Sequence, residues 1–273
     1  MNSGFEKILA VVDSSQASIH AAKEASELAV KFGSKLCLLH VIKQVSFVQS
    51  LFNKQTAIQY AELETLKNEL KKRYDVAIQT FTARGKISEV ISDLVAKERI
   101  DLIVVAGKKQ SVVKELMFRT TAESITHAIN CEVLCVYPET DFSRIKQVVI
   151  PVGKIIPKRK ILIAYELAKK FSSNIHLISL AKDSTGLKTA ELRALMDAYR
   201  YMKELTNIPI QCSSVIGSNI AEAAIRYAKK IKADLILVNP DTESKLKDSI
   251  LAGWGRDIIN HSPVPVLSVH SIK

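Results

Sequence analysis

The stretch KERIDLIVVAG, residues 97–107, returns in similar form as KIKADLILVNP, residues 230–240. In each copy a charged segment leads into a short apolar run, which is typical of a strand buried on both faces. The same shift of 133 residues takes Val133-Leu134 to Val266-Leu267. The chain therefore contains an internal duplication of a domain of about 135 residues, too long a period for a solenoid repeat.

Around these two stretches, short apolar runs alternate with amphipathic segments. In the first half the predicted strands are KILAVVD, KLCLLHVI, VAIQTFT, DLIVVAG and CEVLCVY, with helical patterns near 16–32, 55–73, 87–97 and 120–129. In the second half they are QVVIPVG, IHLISLA, IQCSSV, DLILVNP and VPVLSVH, with helical patterns near 158–171, 187–205, 219–230 and 246–260. Strands joined by helical crossovers are parallel. We therefore expect an α/β fold of two domains, 1–140 and 144–273, each a five-stranded parallel sheet with helices on both faces.

Composition limits the class of protein. The 273 residues are 47% hydrophobic and 6% aromatic, enough for two substantial cores. The opening MNSGFEKILA has no basic region before a long apolar run, and no apolar stretch approaches the ~18 residues of a membrane helix. We therefore expect a cytoplasmic protein that does not contact a membrane. No sequence motif indicates a catalytic or metal-binding group.

The basic charge lies mainly in the second half of the chain, and the cysteines lie in apolar runs. The formal net charge is +11, and residues 140–273 hold 21 basic and 12 acidic side chains, a net of +9. This excess indicates either an anionic partner or a solubilising surface. All four cysteines, Cys37, Cys131, Cys135 and Cys212, fall within apolar runs. We expect buried, reduced thiols, because residues four apart on a strand lie roughly 13 Å from each other, too far for a disulfide.

The segment KILAVVDSSQASIHAAKEASELAVKFGSKLCLLHVI, residues 7–42, resembles the opening of a universal stress protein: a strand, an Asp-containing turn, a helix and a second strand ending in His-Val. Glu123 before CEVLCVY, and the later HSPVPVLSVH, resemble the last helix and strand of that family. The resemblance covers essentially the whole chain, twice. It implies tandem Rossmann-like domains of the adenine nucleotide alpha hydrolase type.

The ATP-binding branch of that family carries a glycine, two residues, a second glycine, nine residues, and then Gly followed by Ser or Thr. In the first repeat these positions fall at Ala106, Lys109, Arg119 and Thr120 or, one residue later, at Gly107, Gln110, Thr120 and Thr121. In the second repeat they fall at Asn239, Thr242, Ala252 and Gly253. Neither repeat keeps the pattern.

On the base side of the implied site, the first repeat keeps Asp13 and Val41, whereas the second has Gly153 and Leu180. On the phosphate side, residues with a Cβ resist the close backbone approach that glycine permits. Side chains can replace those backbone donors: cations at Lys109 and Arg119, and hydroxyls at Thr120 and Thr121. Two alternatives stay open. The loop is an exposed basic segment that binds nothing, or Asp13 only caps the helix that follows it.

Two further segments carry predictions. In KIIPKRK, residues 154–160, Pro157 is expected at the first position of a helix. Cations at this positive helix end indicate an anion contact or, alternatively, an exposed surface. The segment KQVSFVQSLFNKQ, residues 43–55, brings together apolar side chains that are expected to close over the first cleft, dock a partner, or pack within the chain: Phe47, Val48, Leu51 and Phe52.

The resemblance implies a stress-response regulatory protein that acts by binding protein partners or a ligand, without chemistry of its own, and it does not fix a cofactor. The first alternative is that domain 1 binds, or weakly hydrolyses, ATP with Mg²⁺, and that changing Asp13 or Arg119 weakens binding. The second is RNA or polyanion binding by the basic second domain, reduced by neutralising Lys158-Arg159-Lys160. By resemblance, CEVLCVY and VPVLSVH would pair within the chain as a pseudo-dimer, because exposed edge strands need partners. A homodimer of chains is a further expectation.

Overall fold

The computed structural model describes residues 4–42, 54–107, 129, 131–183, 186–239 and 254–270. The chain divides into two compact units, Phe5–Ser143 and a second consisting mainly of Arg144–Lys273. Within the described ranges, none of the helices combines the length and apolar character needed to cross a membrane.

The first unit alternates strands and helices: β1 (Lys7–Val12), α1 (Gln16–Phe32), β2 (Lys35–Ile42), α2 (Lys54–Arg73), β3 (Ile78–Arg84), α3 (Ile87–Glu98), β4 (Leu102–Ala106) and β5 (Glu132–Val136). Its strands lie in the order β3-β2-β1-β4-β5, and every pair is parallel. The helical pattern near 120–129 and the apolar segment around Phe47 lie almost entirely outside the described residues.

The second unit repeats this plan: β6 (Gln147–Pro151), α4 (Lys158–Phe171), β7 (Asn174–Ala181), α5 (Thr189–Leu205), β8 (Ile210–Ile216), α6 (Ile220–Lys230), β9 (Leu235–Val238), α7 (Trp254–His261) and β10 (Val266–Ser268). The strand order is β10-β9-β6-β7-β8, again with parallel pairs. In both units the first strand lies between the second and the fourth. The predicted α/β fold of two tandem parallel-sheet domains is confirmed.

Apolar burial explains why these runs become strands. In the first unit one face of the sheet packs Leu9, Ile103 and Val133 against Ile91 of α3, and all four are buried. Continuous apolar runs suit such strands, because helices cover both faces of a parallel sheet. Helix α1 is capped at its C-terminus by Gly33, whose left-handed φ of 71° strains any residue with a Cβ.

Two sets of side-chain hydrogen bonds recur in both units and anchor the first strand of each. Asp101 accepts hydrogen bonds from two consecutive backbone amides at the start of β1, both at 2.9 Å. Asp234 does the same at the start of β6, at 2.7 and 2.8 Å. The Ser34 and Ser173 hydroxyls each donate to the carbonyl two residues before these strands, both at 2.5 Å. The aspartate that precedes the apolar run in both repeated stretches therefore has a structural role, since it satisfies amides that begin a central strand.

The cysteine prediction holds for three residues and is wrong for one. Cys37, Cys131 and Cys135 are free and buried, while Cys212 is free but exposed on β8. Strand β8 pairs only with β7 among the described strands, and its alternate side chains face outward. Burial raises the pKa of both Cys37 and Cys135 to about 11, so these thiols stay protonated near neutral pH.

Candidate functional site

The carboxyl ends of parallel strands form the edge where α/β proteins place their ligand sites. In the first unit Val12, the last residue of β1, lies opposite His40 of β2. The next residues on the two strands are Asp13 and Val41, so these two predicted site residues lie side by side at this edge. Asp13 is exposed and Val41 is half-buried.

Asp13 organises the turn between β1 and α1. Its Oδ1 accepts hydrogen bonds from the Ser15 backbone N–H at 3.2 Å and from the Ser15 hydroxyl at 2.6 Å. Ser15 in turn caps α1, because its Oγ accepts from the backbone N–H of Ser18 at 3.2 Å. The alternative that Asp13 itself caps the helix is therefore wrong: Asp13 positions the serine that does so.

A second carboxylate reaches the same turn. Ser14 adopts a left-handed φ of 61°, and its hydroxyl donates to Glu62 Oε2 of α2 at 2.7 Å. Asp13 and Glu62 thus make this corner of the cleft acidic. Carboxylate oxygens accept hydrogen bonds from hydroxyl and amino groups and repel phosphates. The corner therefore suits the nucleoside end of a nucleotide rather than its phosphate end.

His40 binds the backbone at the carboxyl end of β1, a role that the sequence did not indicate. It is 6% exposed, and its Nδ1 lies 2.9 Å from the carbonyl oxygen of Val12, so Nδ1–H donates. Its Nε2 is buried and has no hydrogen-bond partner among the described residues. In the second unit Ser179 takes this place and donates to the carbonyl of Val152 at 3.0 Å. In both units the second strand binds the backbone at the end of the first.

Gly107 closes the other side of the cleft. It is buried, and its N–H donates to the Val136 carbonyl at 2.6 Å. A Cβ at this position would lie 2.6 Å from Cε1 of Tyr137 and 2.7 Å from Sγ of Cys135. Packing against Cys135 and Tyr137 therefore favours a glycine here, whether or not a ligand binds. The remaining predicted phosphate-side residues lie outside the described residues, so their role stays a prediction: Lys109, Arg119, Thr120 and Thr121.

The corresponding edge of the second unit is built differently. Gly153 replaces the acidic residue, and a Cβ there would meet nothing within 4 Å. Lys160, in the first turn of α4, folds inward. It is 2% exposed, and its Nζ donates to the Pro151 carbonyl at the end of β6, at 2.9 Å. Lysine can bury its aliphatic stem in this way when a carbonyl receives the ammonium.

Two predictions about the KIIPKRK turn therefore need correction. Helix α4 begins at Lys158, with Pro157 at the capping position instead of the first helical position. The reading of the basic turn as an exposed surface holds for Lys154 and Lys158 but is wrong for Lys160, whose side chain occupies the strand edge. Within the described ranges, no three His, Cys, Asp or Glu side chains gather closely enough to hold a metal ion.

These units define a tandem, doubly wound α/β protein with unequal strand-end clefts. A family model described as the universal stress protein family matches residues 4–137 and 144–270. The chain belongs to the universal stress protein family, and the resemblance stated from the sequence is confirmed.

Individual relatives agree with this assignment. The chain is 25% identical over 146 residues to the universal stress protein YxiE of Bacillus subtilis (strain 168), covering 48% of this chain and 99% of that protein. Its fold is similar to a universal stress protein from Archaeoglobus fulgidus DSM 4304, with a TM-score of 0.75, 18% identity and 98% of each chain covered. It is also similar to the functionally unknown protein PA1789 from Pseudomonas aeruginosa PAO1, with a TM-score of 0.69, 18% identity, and coverage of 98% and 93%.

Proposed function

We propose that this chain is a stress-response protein that works by binding, and that its small-ligand site lies in the first unit alone. Family membership supports the general role. The unequal strand-end clefts of the two units support the location. The first cleft presents the exposed carboxylate of Asp13, whereas the ammonium of Lys160 already lies against the last strand carbonyl of the second.

The buried lysine is the observation that carries this proposal. A ligand entering the second cleft would have to displace the hydrogen-bonded ammonium of a lysine that is only 2% exposed, and separating a buried charge from its partner is costly. In the first cleft, by contrast, Asp13 is exposed. Its turn is already held in place by Ser15, so little conformational freedom is lost there when a ligand binds.

An adenosine nucleotide is the ligand class that this cleft fits best. The Asp13 carboxylate can accept hydrogen bonds from ribose hydroxyls, and half-buried Val41 offers an apolar contact for a base. The phosphates would then extend away from this acidic corner. In this proposal they meet Lys109 and Arg119, with Mg²⁺ offsetting part of their charge.

Calorimetric titration of the purified, nucleotide-stripped protein with ATP and Mg²⁺ at physiological salt tests this site. We expect saturable binding that weakens in Asp13→Ala by about 10- to 100-fold, because a hydrogen bond to a charged group contributes about 1.5–3 kcal/mol. Asp75→Ala is the matched control, since it removes another exposed carboxylate, between α2 and β3 and therefore outside the cleft. Asp13→Asn separates charge from shape, because its amide oxygen can still accept from Ser15.

Three results would count against the nucleotide site. Equal weakening in Asp13→Ala and Asp75→Ala would show a general charge effect. Unchanged affinity in Asp13→Ala would place the ligand elsewhere. No heat, together with no thermal shift at millimolar ATP, would mean that the first cleft does not bind this nucleotide. Binding of protein partners would then remain as the function to pursue.

A further inference from the structure

The amino-terminal edge of the sheet in the second unit carries six exposed lysines, which we call the lysine edge. One precedes β6, two lie in the last turn of α4, two lie in the last turn of α6, and one lies in the turn that follows: Lys146, Lys169, Lys170, Lys229, Lys230 and Lys232. These positions are at the opposite end of the strands from the cleft that holds Lys160.

Lys146 joins the parts of this surface. Its Nζ donates to the Phe171 carbonyl at the end of α4, at 3.2 Å. Its backbone N–H donates to Asp234, in the turn after α6, at 2.7 Å. Helix α4 packs with α5, and α6 with α7, on the two faces of the sheet. Since each helix layer lies roughly 10 Å from a sheet, the lysine edge spans about 20 Å.

The first unit provides an internal reference for this surface. Asp101 of the first unit corresponds to Asp234 of the second. Two residues before each aspartate lies a left-handed residue, Arg99 with a φ of 54° and Lys232 with a φ of 53°. The helix-ending residues Gly33 and Ser172, both left-handed, align α1 with α4. These anchors fix which residue of the first unit corresponds to each residue of the lysine edge.

Eight matched positions differ sharply in charge. In the first unit they hold four cations and two carboxylates, a net of +2: Glu6, Lys7, Val30, Lys31, Ala96, Lys97, Glu98 and Arg99. One pair among them, Lys7 and Glu98, forms a salt bridge at 3.0 Å. In the second unit they hold six cations and no carboxylate, a net of +6: Lys146, Gln147, Lys169, Lys170, Lys229, Lys230, Ile231 and Lys232.

The fold itself does not require this excess. Cations near a helix C-terminus interact favourably with the helix dipole, but α1 and α3 end at the same edge of their own sheet with fewer cations. Like charges separated by less than about 8 Å also repel one another at physiological salt. The added lysines therefore carry an electrostatic cost that a bound polyanion would offset.

We propose that the lysine edge binds a linear array of phosphate groups, such as the backbone of a nucleic acid or inorganic polyphosphate. Lysine ammonium groups are mobile point charges that suit phosphate oxygens without reading base sequence. A surface about 20 Å across is too wide for one phosphate and matches several successive ones. The site is distinct from the KIIPKRK turn, where burial of Lys160 removes one of the three cations expected to bind a polyanion.

Fluorescence anisotropy with a labelled, mixed-sequence single-stranded RNA, measured on the full chain over a range of salt concentrations, tests this proposal. The test variant is K146Q/K169Q/K229Q/K230Q. The control variant is K154Q/K158Q/K188Q/K203Q, which also removes four exposed cations from the second unit but none from the lysine edge. Circular dichroism and melting curves check that both variants fold.

With four or five lysines engaged, log K should fall with log salt at a slope of about −3, since each phosphate contact on a single strand contributes about −0.7. We expect the test variant to lose about tenfold or more in affinity and most of this slope, and the control variant to stay within about threefold of wild type. Competition by polyphosphate at the same concentration of phosphate groups would show that a phosphate chain is sufficient for binding. Failure of polyphosphate to compete would assign the site to nucleic acid.

Several outcomes would overturn the proposal. They are absence of salt-dependent binding, equal losses in the two variants, and competition by polyglutamate as strong as that by RNA at equal charge. The last would assign the surface to an acidic protein instead. None of them bears on the first cleft, because the lysine edge belongs to the other unit.

Discussion

Replacing Gly107 with alanine tests whether packing, rather than a ligand, requires glycine at the end of β4. The added Cβ would lie 2.6 Å from Cε1 and 2.9 Å from Cδ1 of Tyr137, and 2.7 Å from Sγ of Cys135. Both neighbours are buried, and the 2.6 Å hydrogen bond from Gly107 to Val136 limits backbone movement. Ordinary contacts begin near 3.4 Å. The ring and the sulfur must therefore each shift by most of an ångström.

Overpacking of this kind costs about 1–3 kcal/mol, and two buried groups must move here, so we expect the upper half of that range. For a unit of this size that corresponds to a melting temperature lower by roughly 4–10 °C. Gly153→Ala is the matched control, because a Cβ there meets nothing and the backbone is not left-handed. It should change stability by less than about 0.5 kcal/mol.

Differential scanning calorimetry of wild type, Gly107→Ala and Gly153→Ala measures these effects. Adding Tyr137→Leu to Gly107→Ala removes the ring that the new methyl group meets. The double variant should then lose less stability than the sum of the two single changes. Wild-type melting of Gly107→Ala, or strictly additive losses in the double variant, would refute the packing explanation.

Two further predictions concern pH. Burial raises the pKa of Glu24 to about 7 from an ordinary 4.5, although its carboxylate accepts a 2.6 Å hydrogen bond from Phe142 N–H. The folded first unit therefore binds the proton more tightly, and its stability should decline as pH rises from about 4.5 to 7. Glu24→Gln should melt above wild type at pH 8 and close to it at pH 5; the reverse order would contradict this. Burial lowers the pKa of His176, which lies 2.7 Å from the Gln147 side chain, below its ordinary 6.5. The unfolded state then binds more protons, so the second unit should lose stability as pH falls below 6.5, and unfolding midpoints of His176→Gln should lack that slope.

The architecture was predictable because it depends on patterns that extend over many residues. Each strand is a continuous apolar run, and a parallel sheet buries such runs on both faces. The repeated Asp-Leu-Ile sequence revealed the duplication. Its aspartates, Asp101 and Asp234, anchor corresponding strands in the two units. Here the local apolar patterns and the parallel-sheet fold favour the same structure, so the weak preferences of single residues do not change the fold.

The chemistry at the strand ends was less predictable because it depends on where single side chains point. In the sequence, Lys160 is one more cation in a basic run. Its burial is explained only by the position of the Pro151 carbonyl, which accepts its hydrogen bond. His40 reads as the end of a strand, but its ring donates to a backbone carbonyl 28 positions earlier. Cys212 lies in an apolar run yet is exposed on an edge strand. Each outcome depends on a tertiary contact that no local pattern contains.

The two strand-end clefts are unequal: the first has an exposed Asp13, whereas in the second the Lys160 ammonium lies against the Pro151 carbonyl. We infer that only the first binds a nucleotide. Counting the ATP sites by calorimetric titration of the wild-type chain tests this most directly. The K146Q/K169Q/K229Q/K230Q variant serves as a parallel sample, in which any nonspecific binding to the lysine edge is reduced. One site per chain in both samples, lost in Asp13→Ala, is the predicted result. Two equivalent sites per chain, or one site that survives Asp13→Ala, would contradict it.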